Sequence, residues 1–168
     1  MCKKPISFGS CVLQRGFSML EILITLVIVA IALLGTAGLQ VYAMRMGHGG
    51  QLRTQAVFLA SDIAERMEAN KVAAVAGNYA VAAASSPSAA AADCGAVPCS
   101  GAALAGYDIS QWENSIANLL PQARWQVTQL AAGNPSTYSI FIQWTDRSAD
   151  KTSRGETFSY TATRTVSN

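Results

Sequence analysis

The hydrophobic and polar positions of this 168-residue chain change pattern several times, and each pattern predicts a different element. Residues 22–39 form an apolar run of 18 positions without a charge, in which Thr25 and Thr36 are the only hydroxyls. As a helix rising 1.5 Å per residue this run reaches about 27 Å, close to the hydrocarbon thickness of a bilayer. From Gln40 the pattern turns amphipathic. Leu52, Ala56, Leu59, Ile63 and Met67 recur at steps of four, three, four and four, which draws one stripe on an α-helix. Asp62 and Arg66 stand four apart with the acid first, the favourable order for a helical ion pair. Together these patterns predict one long helix ending near Asn70, with a membrane half over residues 17–39 and an amphipathic half over 40–70. Gly35, Gly38, Gly47, Gly49 and Gly50 fall inside it, each costing about 1 kcal/mol relative to Ala. The cluster from Met46 to Gly50 is therefore the expected weak turn and bend.

Residues 71–106 are rich in Ala, Ser, Gly and Pro with almost no periodicity, and Ala80–Ala92 is nearly all small. Such a stretch buries too little area to form a core of its own, and it reads as a surface connection. Order returns at Tyr107. Ser110-x-x-Glu113 has the spacing of a capping box, Trp112, Ile116, Leu119 and Leu120 give a helical face, and Pro121 closes a short helix over 110–120. Three alternating segments follow: Arg124–Leu130 with Trp125 and Val127, Thr137–Thr145 with Tyr138, Ile140, Ile142 and Trp144, and Thr157–Thr165 with Phe158, Tyr160 and Ala162. Gly133-Asn134-Pro135-Ser136 and the polar stretch 146–155 supply the links. Three sequential strands predict an antiparallel meander with one face on the long helix. The fold class is α+β: a long N-terminal helix packed on a small antiparallel sheet, the globular part spanning 71–168.

Charge and candidate chemistry narrow the function classes. The formal charge is +2, but Lys3, Lys4 and Arg15 precede the apolar run, and without them it is −1. That balance predicts no nucleic-acid partner. Arg124, Arg147, Lys151, Arg154 and Arg164 lie near Trp125 and Trp144, yet Asp146, Asp150 and Glu156 are interleaved with them. The mixture reads as a solvated surface rather than a single-strand groove. His48 is the only histidine, and there is no Gly-x-Ser-x-Gly, no glycine-rich phosphate loop and no metal-ligand spacing. No catalytic residue, metal or cofactor is expected, and the chain does not read as an enzyme.

One acid stands out. Glu21 sits at the start of the apolar run, where a carboxylate costs about 3 kcal/mol even on a lenient insertion scale and calls for a partner. Cleavage between Gly16 and Phe17 would create an α-ammonium four residues before it. The text Gly16-Phe17-Ser18-Met19-Leu20-Glu21, followed by an uninterrupted apolar helix, resembles the class III signal of type IV prepilins and of type II secretion pseudopilins. The resemblance implies that residues 1–16 are a leader, removed by a membrane prepilin peptidase, and that Phe17 becomes N-methylated. It implies too that the helix is retained and that Glu21 orients the subunit against a neighbour's N-terminal amine. An ordinary signal peptidase would instead cut near Ala30-Ile31-Ala32 or Thr36-Ala37-Gly38. In the filament setting the Met46–Gly50 turn becomes a candidate for bending or melting on assembly.

The four cysteines divide at the apolar run. Cys2 and Cys11 precede it, whereas Cys94 and Cys99 follow it, in the part the resemblance exports. An exported pair invites a disulfide, worth about 2 kcal/mol for so short a loop. A zinc site would need about four ligands and a redox pair a two-residue spacing, neither of which is found here.

Within the family, Ala56-x-x-Leu59-Ala60-x-Asp62-Ile63-Ala64-Glu65-Arg66-Met67-x-Ala69-Asn70 is similar to PilV-type minor pilins, as are Cys94…Cys99, Tyr107-Asp108 with Trp112, and Leu120-Pro121. That likeness implies a low-abundance subunit helping to initiate or complete pilus assembly, with a minor pseudopilin of type II secretion as the alternative. The implied partners are the peptidase, other minor pilins, the major pilin and the bacterial inner membrane, with the C-terminal domain periplasmic. On residue patterning alone, Asp62, Glu65, Arg66 and Glu68 read as a solvated helix face.

Overall fold

The computed structural model describes residues 16–89, 92–146 and 155–168. The expected leader residues before Gly16, with Cys2 and Cys11, and the polar link at 147–154 lie outside them. The chain divides between Val41 and Tyr42 into two compact units.

Helix α1, Met19–Ala69, runs through both halves predicted for it, and it stays helical through Gly47, Gly49 and Gly50. Helix propagation adds a hydrogen bond for each residue fixed, so a few glycines flanked by good helix formers do not end it. The glycine cluster is therefore part of the one long helix expected to end near Asn70. Gly49 has a packing reason: a Cβ at this position would come 2.9 Å from the Asp146 Oδ2 atom at the end of a strand. In the first unit every described residue is exposed, including the large apolar side chains from Phe17 to Leu39.

In the second unit the α1 stripe is buried as its periodicity requires: Leu52, Ala56, Leu59, Ile63 and Met67, with Ala60 beside them. A short helix α2, Lys71–Val75, leads to strand β1, Val81–Ala84, then to helix α3, Gly101–Leu119. Strands β2, Arg124–Ala131, β3, Ser136–Asp146, and β4, Glu156–Val166, complete the chain. All pairings are antiparallel in the order β1-β2-β3-β4. β3 alternates strictly, burying Tyr138, Ile140, Ile142 and Trp144 while the intervening side chains lie half-buried on the other face. Its buried row joins Trp125 and Val127 of β2, Trp112 and Ile116 of α3, and the α1 stripe in one core.

Two expectations are corrected. The small-residue stretch 80–92 is not only a connection, because Val81–Ala84 adds a fourth strand against β2. Ala73, Ala74 and Tyr79 just before it are fully buried or nearly so. Small side chains leave no hydrophobic contrast to read, but they permit close backbone approach. The second correction concerns α3, which starts at Gly101 rather than Ser110. Its N-cap is Ser100, whose hydroxyl accepts from the Ala103 N–H at 3.3 Å. Ser110 and Glu113 therefore form no capping box: Ser110 Oγ donates to the Tyr107 carbonyl, and Glu113 is buried.

Ile63 is completely buried at the centre of the α1 stripe. Ile63→Ala should destabilise the second unit by about 2–5 kcal/mol, through lost transfer energy and the cavity left behind. Thermal unfolding of the detergent-solubilised chain, followed by near-ultraviolet circular dichroism, checks this; an unchanged midpoint would contradict the packing.

Candidate processing and assembly segment

Gly16, Phe17 and Ser18 precede the first helical turn and are not helical. Ser18 acts as the cap: its hydroxyl accepts from the Leu20 N–H at 3.3 Å, and its carbonyl accepts from the Glu21 N–H at 3.0 Å. The Gly16–Phe17 peptide therefore lies outside the helical hydrogen-bond ladder, and Gly16 has no atom within 4 Å of an added Cβ. Glu21 lies in the first turn of α1, where the unpaired N–H groups favour negative charge. Among the described residues Glu21 forms no ion pair. The following helix is the one candidate membrane span among those residues, and its most apolar window is wholly unburied.

The second unit contains a polar cluster that patterning alone did not reveal. Arg66 Nε donates to Asp62 at 3.0 Å, as the spacing predicts, but its Nη1 turns inward to Asp108 of α3, also at 3.0 Å. Tyr79 donates to Asp108 Oδ2 at 2.7 Å, and Asn70 Nδ2 donates to the Gly101 carbonyl at 2.7 Å and to Tyr79 Oη at 3.3 Å. Asp62 and Arg66 on one face of α1, with Asn70 just past its end, thus tie it to α3 and to the turn before β1. The solvated-face reading is corrected for Arg66. It holds for Glu65, which is exposed, while Glu68 pairs with Lys71 at 2.9 Å and with Arg164 at 3.4 Å. Burial works against the Arg66 charge, yet its bonds and ion pairs to Asp62 and Asp108 outweigh it and raise the guanidinium above its ordinary value.

A second tie lies deeper. Trp112 Nε1 donates to the Leu59 carbonyl at 2.7 Å, and Trp125 Nε1 donates to Glu113 Oε1 at 2.9 Å. Ser88, from the stretch after β1, donates to Glu113 Oε2 through both its backbone N–H and its hydroxyl. Glu113 is thereby satisfied by three donors, which is what a buried carboxylate requires. Cys94 and Cys99 are joined by a disulfide in the segment that leads into α3. No cluster of three or more metal-binding side chains is found among the described residues. Of the basic residues near the C-terminus, Arg164 is engaged with Glu68, and Arg147, Lys151 and Arg154 lie outside the described residues.

The described residues thus combine a small α+β unit with a long helix whose first half is apolar and uncovered. A family model described as the prokaryotic N-terminal methylation motif matches residues 12–37, and one described as type IV pilin Tt1218 matches residues 38–110. The two matches abut, span residues 12–110 between them, and together with the long helix on an antiparallel sheet support a type IV pilin. No curated protein and no solved structure matches it. Type IV pilins are structural subunits rather than enzymes.

The Tyr79 hydroxyl gives the polar cluster a pH signature. Burial first, and then the bond to Asp108, push its pKa well above the ordinary tyrosine value, and burial raises Tyr138 in the same direction. Above about pH 10 the unfolded chain releases these protons while the folded chain holds them. Unfolding is then favoured, so stability present below that pH should fall as pH rises. Tyr79→Phe should cost about 1 kcal/mol near neutrality but flatten the alkaline loss. Urea unfolding across that range checks it; parallel pH profiles for the two proteins would contradict the cluster.

Proposed function

We propose that the chain is a minor pilin of a type IV pilus, anchored in the bacterial inner membrane with residues 42–168 in the periplasm. In this reading prepilin peptidase cleaves after Gly16, Phe17 becomes the N-methylated first residue, and residues 17–39 form the membrane and filament-core helix. Glu21 meets the α-ammonium of a neighbouring subunit. Released from the bilayer, the apolar half of α1 exchanges lipid for the corresponding helices of other pilins. The observation that carries the proposal is the non-helical Gly16–Ser18 segment set directly before an uncovered apolar helix with Glu21 in its first turn.

The minor role, assisting initiation or completion of assembly with other minor pilins and the major pilin, rests on the α1 text from Ala56 to Asn70. Its Asp62, Arg66 and Asn70 have a structural purpose in the tie to Asp108 and Tyr79. That purpose does not select between a pilus and a type II secretion pseudopilus. The resemblance to PilV-type sequences favours the pilus.

Glu21→Ala leaves the anchor and the cleavage position intact and removes the charge that a neighbour's amine would pair with. The variant should be processed normally and accumulate in the membrane, while its amount in sheared pili falls by about tenfold, the scale of one partly desolvated ion pair. Immunoblots of membrane and sheared fractions check this. Wild-type abundance of the variant in pili would falsify the role assigned to Glu21.

A further inference from the structure

On the face of the sheet turned away from the core, the small residues of β1 leave open space beside β2. A pocket of about 280 Å³ occupies it, with Ala83, Ala84 and Ser85 on one side and Arg124, Gln126, Phe141 and Gln143 on the other. Trp125 and Val127 turn into the core, so strand alternation puts Arg124 and Gln126 on the opposite face, and the buried Ile140 and Ile142 place Phe141 and Gln143 there in the same way. The four form a block, because Arg124 is the register partner of Gln143 and Gln126 that of Phe141. Arg124 and Gln126 are exposed, while Phe141 and Gln143 are half-buried. Among the described residues Arg124 forms no ion pair, and no acid lines the pocket. The same face continues in hydroxyls: Thr161 lies across from Phe141, and Thr128, Ser139 and Thr163 make up the next row but for no charge at all.

We propose that this pocket binds the hexuronate ring of an acidic polysaccharide. The Arg124 guanidinium takes the sugar carboxylate through paired N–H donors, a match of planar fork to planar acid. With no acid beside it in the protein, Arg124 leaves its charge for the ligand to complement. Gln126 and Gln143 each carry a donor and an acceptor in one amide, as sugar hydroxyls do, and so they bond the ring hydroxyls in either sense. Phe141, flanked by these two amides, gives the C–H face of the sugar an apolar floor. The volume falls just below the range of about 300–1,000 Å³ usual for small-molecule clefts, which suits one ring rather than a folded partner. The hydroxyl rows beside the pocket offer the neighbouring sugars polar contacts without charge. A single cation in a neutral field sets this face apart from a nucleic-acid surface, where each neutralised phosphate calls for its own Lys or Arg. The site lies wholly within the second unit and does not depend on processing at Gly16 or on a place in a filament.

Calorimetric titration of the full-length, detergent-solubilised protein with a short oligoglucuronan, and separately with a neutral oligoglucan of the same length, tests the site. The uronate should bind about tenfold more tightly than the glucan, the scale of one hydrogen-bonded charge. Arg124→Gln should abolish that preference, and Gln126→Ala should weaken both sugars by about threefold. Both positions are exposed, so both variants should keep the wild-type unfolding midpoint, and lost binding then reports the site rather than the fold. Equal affinity of the wild type for the two sugars, no binding of the uronate, or an Arg124→Gln variant that retains the preference overturns the proposal. So does tighter binding of a single-stranded oligonucleotide of matching charge, since the face would then serve a nucleic acid.

Discussion

A single helix that must satisfy two solvents is the constraint on which this structure depends. Among the described residues nothing covers the first half of α1, and its exposed Leu, Ile and Val side chains form an apolar surface of the kind that marks an interaction with lipid or another protein. The second half is buried along one stripe and must hold a globular unit in place. The helix runs without a break through the glycines between them. The first half is apolar all round, and the second is amphipathic.

How the folded half is held is a matter of polar ties laid over an apolar core. Helix α3 is fixed to α1 by the Trp112 bond to the Leu59 carbonyl and by the Arg66–Asp108 pair, while Asn70 and Tyr79 carry the same cluster toward β1. Glu113 collects Trp125 of the sheet and Ser88 of the segment after β1. These bonds add modest stability, since each exchanges water partners for protein partners, but they specify one register of α3 against α1. The small-residue segment is held by such ties, by the pairing of β1 with β2 and by the buried Ala73, Ala74 and Tyr79, while the Cys94–Cys99 bond closes a local loop within it.

The sequence could be read wherever hydrophobic contrast was strong. Tyr138, Ile140, Ile142 and Trp144 alternate with Thr, Ser, Phe and Gln, and β3 lies within a residue of its expected bounds. The α1 stripe was legible for the same reason. Val81–Ala84 and the first half of α3 were not, since Ala and Gly give no period on either template and are buried by close approach rather than by size. Arg66 was misread because a charge on a helix normally faces water; its inward partner Asp108 is 42 residues away and Tyr79 is 13. Glu113 was misread for the converse reason, a local spacing that fitted a cap while the side chain served the core. The Gly16–Glu21 segment could be recognised from its text because its chemistry is local. What the structure adds there is that Gly16 to Ser18 stand outside the helix.

The central claim is that this segment is processed rather than retained or discarded whole. Intact-mass analysis of the membrane-extracted protein, with its N-terminus sequenced, tests it most directly. The account predicts a chain beginning at N-methylated Phe17, two hydrogens lighter than the fully reduced form once the disulfide is counted. A chain beginning beyond the apolar run, or one still carrying residues 1–16, would contradict it.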